Sequence, residues 1–216
     1  MAKESEATVG TQVAPKDFTV DYAAATEKLL SQEGVNIVKD AEIYGISLSR
    51  RQGDDFISVN IKTDKKCRQY RGIVDPNTNE RVFVDSIVNS AQISMITFVN
   101  FLNNHKNPNV RDIGKVFERA VSLAKSEQDK TKLDDFIMRF KDTQAAVKIN
   151  KLLSGCVIDI AQVPVVQGQM YTHPFSSINE VTEVKNNSWF SYVYNMRLPE
   201  KLAERMESDK YSALDM

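Results

Sequence analysis

Residues 42–63 read EIYGISLSRRQGDDFISVNIKT, and no other stretch limits the fold as much. Tyr44, Ile46 and Leu48 alternate with Gly45, Ser47 and Ser49; after the polar RRQGDD segment, Ile57, Val59 and Ile61 alternate with Ser58, Asn60 and Lys62. A period of two puts each apolar set on one side of a pleated strand. The segment therefore predicts an antiparallel hairpin with a longer loop, one face buried and the other wet. Such a hairpin must be covered on its apolar side by more strands or by helices.

The rest of the chain supplies both. DYAAATEKLLSQEG places Tyr22, Ala25, Leu29 and Leu30 near helical spacing, with Gly34 as a stop. Asp75-Pro76-Asn77 is a turn by its own chemistry, and Val82 and Val84 begin a third strand. From Ser90 the period becomes helical, with Ile93, Ile96, Val99 and Phe101-Leu102 on one face. Helix continues over residues 109–153. Val110, Ile113, Val116-Phe117, Ala120-Val121 and Ala124 line one stripe; Leu133, Phe136-Ile137 and Phe140 line a second; Ile149, Leu152 and Leu153 close the block before Gly155. Strands return at CVIDIAQVPVV and SWFSYVYNMRL, and Pro199 opens a short helix to Met206.

Helix, three strands, several helices, two strands, short helix: this order predicts an α+β chain built on an OB-like five-stranded β-barrel. The helical insertion, about residues 90–153, falls between the third and fourth strands. A small α+β sandwich would give the same order. Residues 1–16 are expected to be a flexible acidic arm, 17–207 a single domain, and 208–216 an acidic tail.

Charge is distributed unevenly. The net charge is −1 and the pI about 6.2, so the chain lacks the strongly basic balance usual in nucleic-acid binders. Yet residues 50–71 hold seven basic against three acidic side chains, while the first forty residues hold four against seven and residues 199–216 three against five. A basic middle between acidic ends can attract an anion locally although the total is near zero. Cys67 and Cys156 are far apart and lack CxxC spacing, which predicts reduced thiols in a cytoplasmic protein. The segment MAKESEATVG has no apolar core, and no apolar run approaches the roughly 18 residues of a membrane span, so neither a signal peptide nor a membrane partner is expected.

Little points to catalysis. His105 sits in the polar NNHKNPN loop, and His173 precedes Pro174; neither belongs to an HExxH, a CxxC or an acidic cluster. Phosphate-loop glycine motifs and a GxSxG elbow are missing, and Asp54-Asp55 read as a charged hairpin tip. The expectation is a protein that is not an enzyme and takes neither cofactor nor metal.

The basic stretch carries more. With Ile57, Val59 and Ile61 inward, Phe56, Ser58, Asn60 and Lys62 share the outward side, and Lys65, Lys66, Arg68, Tyr70 and Arg71 follow. Cations that track phosphates beside rings that stack on bases are what holds a single strand, at about 1–3 kcal/mol per stacked base. The bland alternative is a solvated hairpin whose lysines discourage edge pairing. In SWFSYVYNMRL, Trp189, Ser191, Val193, Asn195 and Arg197 fall on one side of a strand, with Phe190, Tyr192, Tyr194, Met196 and Leu198 on a core-like side.

In VVQGQMYTHPFSS, residues Gly168, Tyr171, Pro174, Phe175 and Ser176 resemble a Gly-x-x-Tyr-x-Asn-Pro-Phe-Ser segment of phage-encoded single-stranded DNA-binding proteins, where it lies between the last two strands. Here His173 stands at the Asn position. The order of elements over residues 40–200 is similar too. The resemblance implies an OB-like fold binding single strands with little sequence preference. It also implies an acidic C-terminus, here Glu207, Asp209 and Asp215, that recruits replication proteins.

The expected function is therefore single-stranded DNA binding. Phosphates would be tracked by Arg50, Arg51, Lys62, Lys65, Lys66, Arg68 and Arg71, and bases stacked on Phe56, Tyr70 and Trp189. The alternative is a non-enzymatic phage assembly protein or an inhibitor of a host protein. Its support is the helical block from Asn109 to Ser154, which exceeds what a minimal barrel needs. Homo-oligomerisation is open on either reading.

Overall fold

The computed structural model describes residues 21–50, 57–106, 108–125, 130–142, 144–175 and 181–198. Arg51, Phe56 and Ser176, the N-terminal arm, the short helix after Pro199 and the acidic tail lie outside the described residues, and of Arg50 and Arg71 only the backbone is described. In chain order the elements are α1 (Tyr22–Leu30), β1 (Asn36–Arg50), β2 (Ile57–Val74), β3 (Arg81–Ser94), α2 (Met95–Asn103), α3 (Pro108–Lys125), α4 (Lys130–Asp142), α5 (Gln144–Leu153), β4 (Val157–Val165), β5 (Met170–Tyr171), β6 (Thr182–Glu183) and β7 (Ser188–Arg197).

Five strands close into a barrel in the order β1-β2-β3-β7-β4, with β4 returning to β1. All contacts are antiparallel except β3 with β7, which run parallel and meet at Gln92 and Tyr192. A closed, mixed, five-stranded barrel with helices is α+β and consistent with an OB-like barrel.

The hairpin forms as the alternation requires. Ile57, Val59 and Ile61 are buried on β2, opposite Ile46 and Leu48 of β1. Tyr44 departs from the pattern and is 56% exposed. A bulge between Ile43 and Gly45 inserts one residue, so Ile43 and Ile46, three apart, both face the core. Asn150 of α5 closes this irregularity: its Oδ1 accepts the Ile46 N–H at 2.7 Å, and a Cβ on Gly45 would touch the Asn150 side chain at 3.4 Å.

Two corrections concern boundaries. The helical pattern expected from Ser90 begins at Met95, because β3 continues through Ser94 and Ile93 packs as a strand residue. Ser94 then caps α2, its hydroxyl accepting the Thr97 N–H at 3.1 Å. The basic stretch, expected beyond a strand end, lies within β2, which runs to the turn at Asp75. There Asp75 Oδ1 accepts the Asn77 N–H at 2.8 Å, and Asn79 takes φ 55°.

The core has two parts. The larger joins barrel interior and helices, from Ile43, Val59 and Ile160 through Phe98, Phe117 and Phe140 to Leu153. The smaller lies under α1, where Leu29 packs with Ala161, Val163, Phe175, Tyr192 and Tyr194. Gly34, at φ 77°, lets the chain turn from α1 into β1; a Cβ there would meet Pro164 at 3.1 Å.

Candidate functional site

The site starts from an irregularity in β2. From Lys62 to Cys67 the strand advances five residues while its β3 partners advance only two, from Ser90 to Val88. The surplus bends β2 and buries Thr63 and Cys67 while Lys62, Lys65 and Lys66 stay exposed. Beyond the bend the strand is tied down by side chains of strands that are not its sheet neighbours. Gln162 Nε2 on β4 donates to the Lys66 carbonyl at 3.3 Å, and Ser191 Oγ on β7 donates to the Arg68 carbonyl at 2.7 Å.

That attachment brings Arg68 and Tyr70, which share one side of β2, against the start of β7. The Arg68 guanidinium lies 4.2 Å above the centre of the Trp189 ring, a cation–π contact. Its Nη2 donates to Asp85 Oδ2 on β3 at 2.7 Å, with both groups partly open to solvent. Tyr70 meets Phe190 edge-on at 6.0 Å. The Phe190 ring stacks on Tyr171 at 4.7 Å and 14°, and the Tyr171 hydroxyl donates to that of Tyr192. His173 then stands edge-on to Tyr192 at 4.6 Å.

A row of rings therefore runs from the hairpin across β7 to the loop between β4 and β7. That loop is braced by the β5–β6 pair and by Gly168, whose N–H donates to the Val184 carbonyl at 2.8 Å. Burial raises the Tyr171 and Tyr192 phenols well above their ordinary range and pushes His173 down to about 4. All three are neutral near pH 7.

Of the predicted cations, Lys65 pairs with Asp64 at 3.2 Å, and Arg68 has both its carboxylate and its ring. Asp64 is held below the ordinary carboxylate range, because the Glu42 N–H and Lys65 outweigh the opposing effect of desolvation. Lys62 and Lys66 form no ion pair among the described residues. The polar row beside Lys62 is bonded to itself: Ser49 and Ser58 hydroxyls lie 2.9 Å apart, and Asn60 Nδ2 donates to Ser49 at 2.9 Å. Arg68, Tyr70 and Trp189 are brought together; Lys62 lies before the bend, on the outer side of the β1–β2 pair.

On β7 the middle of the row opposite the expected core-like side is buried as well. Ser191 and Val193 are as buried as Tyr192. Two causes combine. The register with β4 shifts at Asp159/Ile160, leaving Tyr194 as an extra residue, so Val193 and Met196 both face the large core. The other side is covered by α1 and the loop, where Tyr22 donates its hydroxyl to the Tyr194 carbonyl at 2.6 Å. Phe190, expected on the core-like side, and Tyr171 are part of the ring row; the alternation of aromatics in SWFSYVY was the available signal.

A second polar cluster had no sequence signal. Asp159, 3% exposed, accepts from both Arg197 Nη atoms at 2.7 and 3.0 Å, from Asn195 Nδ2 at 2.9 Å and from the Asp40 N–H at 3.1 Å. Lys39 reaches it at 3.5 Å and donates to Tyr194 Oη at 2.5 Å. Arg197 above all, then Asn195 and the Asp40 N–H, hold the Asp159 carboxyl far below its ordinary range against desolvation. Every oxygen is satisfied, so this cluster pins the bulge at Asp40 (φ 53°) rather than presenting a vacant site. No helix among the described residues is long and apolar enough to cross a membrane. No protein-family model, no curated protein and no solved structure matches this chain.

Proposed function

We propose that this chain binds single-stranded DNA with little sequence preference, on the surface where β2 bends toward the start of β7. The observation that carries the reading is the contact of Arg68 with Trp189 beside Tyr70 and Phe190. It places a cation for phosphate next to rings that can stack bases, while Lys62, Lys65 and Lys66 extend the charge along β2. The barrel order supports it. Read as OB-like, with α2–α5 carried between its third and fourth strands, the barrel offers strands 2 and 3 and the loop before the last strand, the surfaces such barrels use for oligonucleotides. Arg50, Arg51, Phe56 and Arg71 are proposed as further contacts on sequence grounds alone, and the acidic C-terminus would recruit replication proteins.

The test is fluorescence anisotropy of a labelled oligo-dT at low and high salt. The expected result is tight binding that weakens steeply with salt and is poorly competed by duplex. Charge reversal of Lys65, Lys66 and Arg68 together is expected to abolish binding with the circular dichroism spectrum unchanged. Absence of binding at low salt overturns the reading.

One observation favours the alternative of a docking or assembly protein. Val74 and Ile87 on the β2–β3 hairpin are 60% and 68% exposed. Sedimentation without nucleic acid separates the two, since a large defined oligomer is expected only of assembly.

A further inference from the structure

Among the described residues, Arg68 is the cation of the candidate site with a carboxylate from another strand against it. Asp85 sits on β3, opposite Tyr70 and diagonal to Arg68, on the same side of the hairpin. Its oxygen meets Arg68 Nη2 at 2.7 Å while the guanidinium lies over the Trp189 ring. The guanidinium is thereby held twice in different ways: its central carbon sits over the Trp189 ring, and the carboxylate takes part of its N–H edge. A phosphodiester oxygen would approach that same edge, because N–H donors point outward in the plane of the group. Phosphate and carboxylate are both anions and compete for it; the tryptophan does not.

We propose that Asp85 is an intramolecular competitor for the phosphate backbone, setting the affinity of the Arg68–Trp189 contact by occupying the guanidinium edge when no strand is bound. This rests on the single-strand reading above and adds a regulatory residue to it. On binding, a phosphate oxygen takes the place of the Asp85 carboxylate while Arg68 keeps its place on the ring. The carboxylate swings to solvent, which its partial exposure permits. The arrangement also gives discrimination: a ligand without a phosphate at that point leaves the pair closed.

Removing any negative charge near a polyanion tightens binding somewhat, so a single variant is insufficient. Four proteins are compared by oligo-dT anisotropy across a salt series: wild type, Asp85→Asn, Arg68→Ala, and the double variant. Asp85→Asn is expected to bind about two- to fivefold tighter than wild type, the range set by an exposed ion pair. Its plot of log affinity against log salt steepens by up to about 0.7, one phosphate contact on a single strand. In the Arg68→Ala background the same substitution is expected to give a clearly smaller gain, only that of removing a negative charge near a polyanion.

An equal gain in both backgrounds overturns the proposal, showing long-range charge alone. Unchanged or weaker binding by Asp85→Asn also overturns it, and weaker binding would make Asp85 a support for Arg68. Failure of wild type and Asp85→Asn alike to bind at low salt instead removes the single-strand reading and this inference with it.

Discussion

At the scale of single residues, two buried groups carry pH dependence. His173 is held neutral by burial, and its Nδ1 accepts the Phe175 N–H at 3.2 Å, a bond that protonation at that nitrogen would destroy. Its pKa, about 4 in the fold, is below the roughly 6.5 of an unfolded chain. Between those values the unfolded state takes up a proton that the native state does not, so stability falls as pH falls through that window. Denaturant midpoints at pH 7 and 5 are expected to show a loss of about 1–2 kcal/mol in wild type that His173→Asn largely abolishes. An equal loss in both proteins would assign the effect elsewhere. Asp159 acts in the same sense, at lower pH. Its carboxyl is depressed in the fold, so its contribution is complete above the unfolded value near 3.9 and is lost as pH falls below it. Asp159→Ala would take the buried partner from Arg197, but Arg197 keeps its ion pair with the exposed Asp40 and is itself partly open to water. The expected cost is about 2–3 kcal/mol, at or below the lower end for a broken buried pair, read from urea unfolding.

At the scale of elements, the β-bulges decide which side chains meet. The strands on either side of residues 51–56 were legible because alternation has a physical cause, one wet face and one dry. Tyr44 and the two sides of β7 were not legible, since one inserted residue reverses the alternation and nothing local announces where it will fall. The bulge in β1 depends on a helix distant in sequence: Asn150 of α5 accepts the Ile46 N–H. Asn150→Ala is expected to cost about 1–2 kcal/mol in thermal or urea unfolding by leaving that donor unmet. It should leave oligo-dT affinity within a factor of two, because α5 lies outside the proposed surface. A large loss of affinity with normal stability would move that surface.

At the scale of the whole molecule, a net charge of −1 gives no long-range attraction to a polyanion, so binding must come from the local charge of β2. With Lys62, Lys65, Lys66 and Arg68 each meeting a phosphate, log affinity against log salt is expected to slope at about −2 to −3 for a single strand. A slope near zero would leave the ring contacts alone and contradict phosphate tracking. The sequence by itself determined the hairpin, the Asp75 turn, a helical block closing at Leu153 though expected from Ser90 rather than Met95, and the concentration of cations over residues 50–71. These are properties of period, turn chemistry and composition, which act between near neighbours. Only the tertiary structure decided that β3 and β7 run parallel, that Ser191 and Gln162 hold the bent strand, and that Arg68 rests on Trp189 with Asp85 at its edge. Except for Arg68 with Asp85, those contacts join residues 96 to 123 positions apart, and barrel closure rather than any local preference brings them within reach.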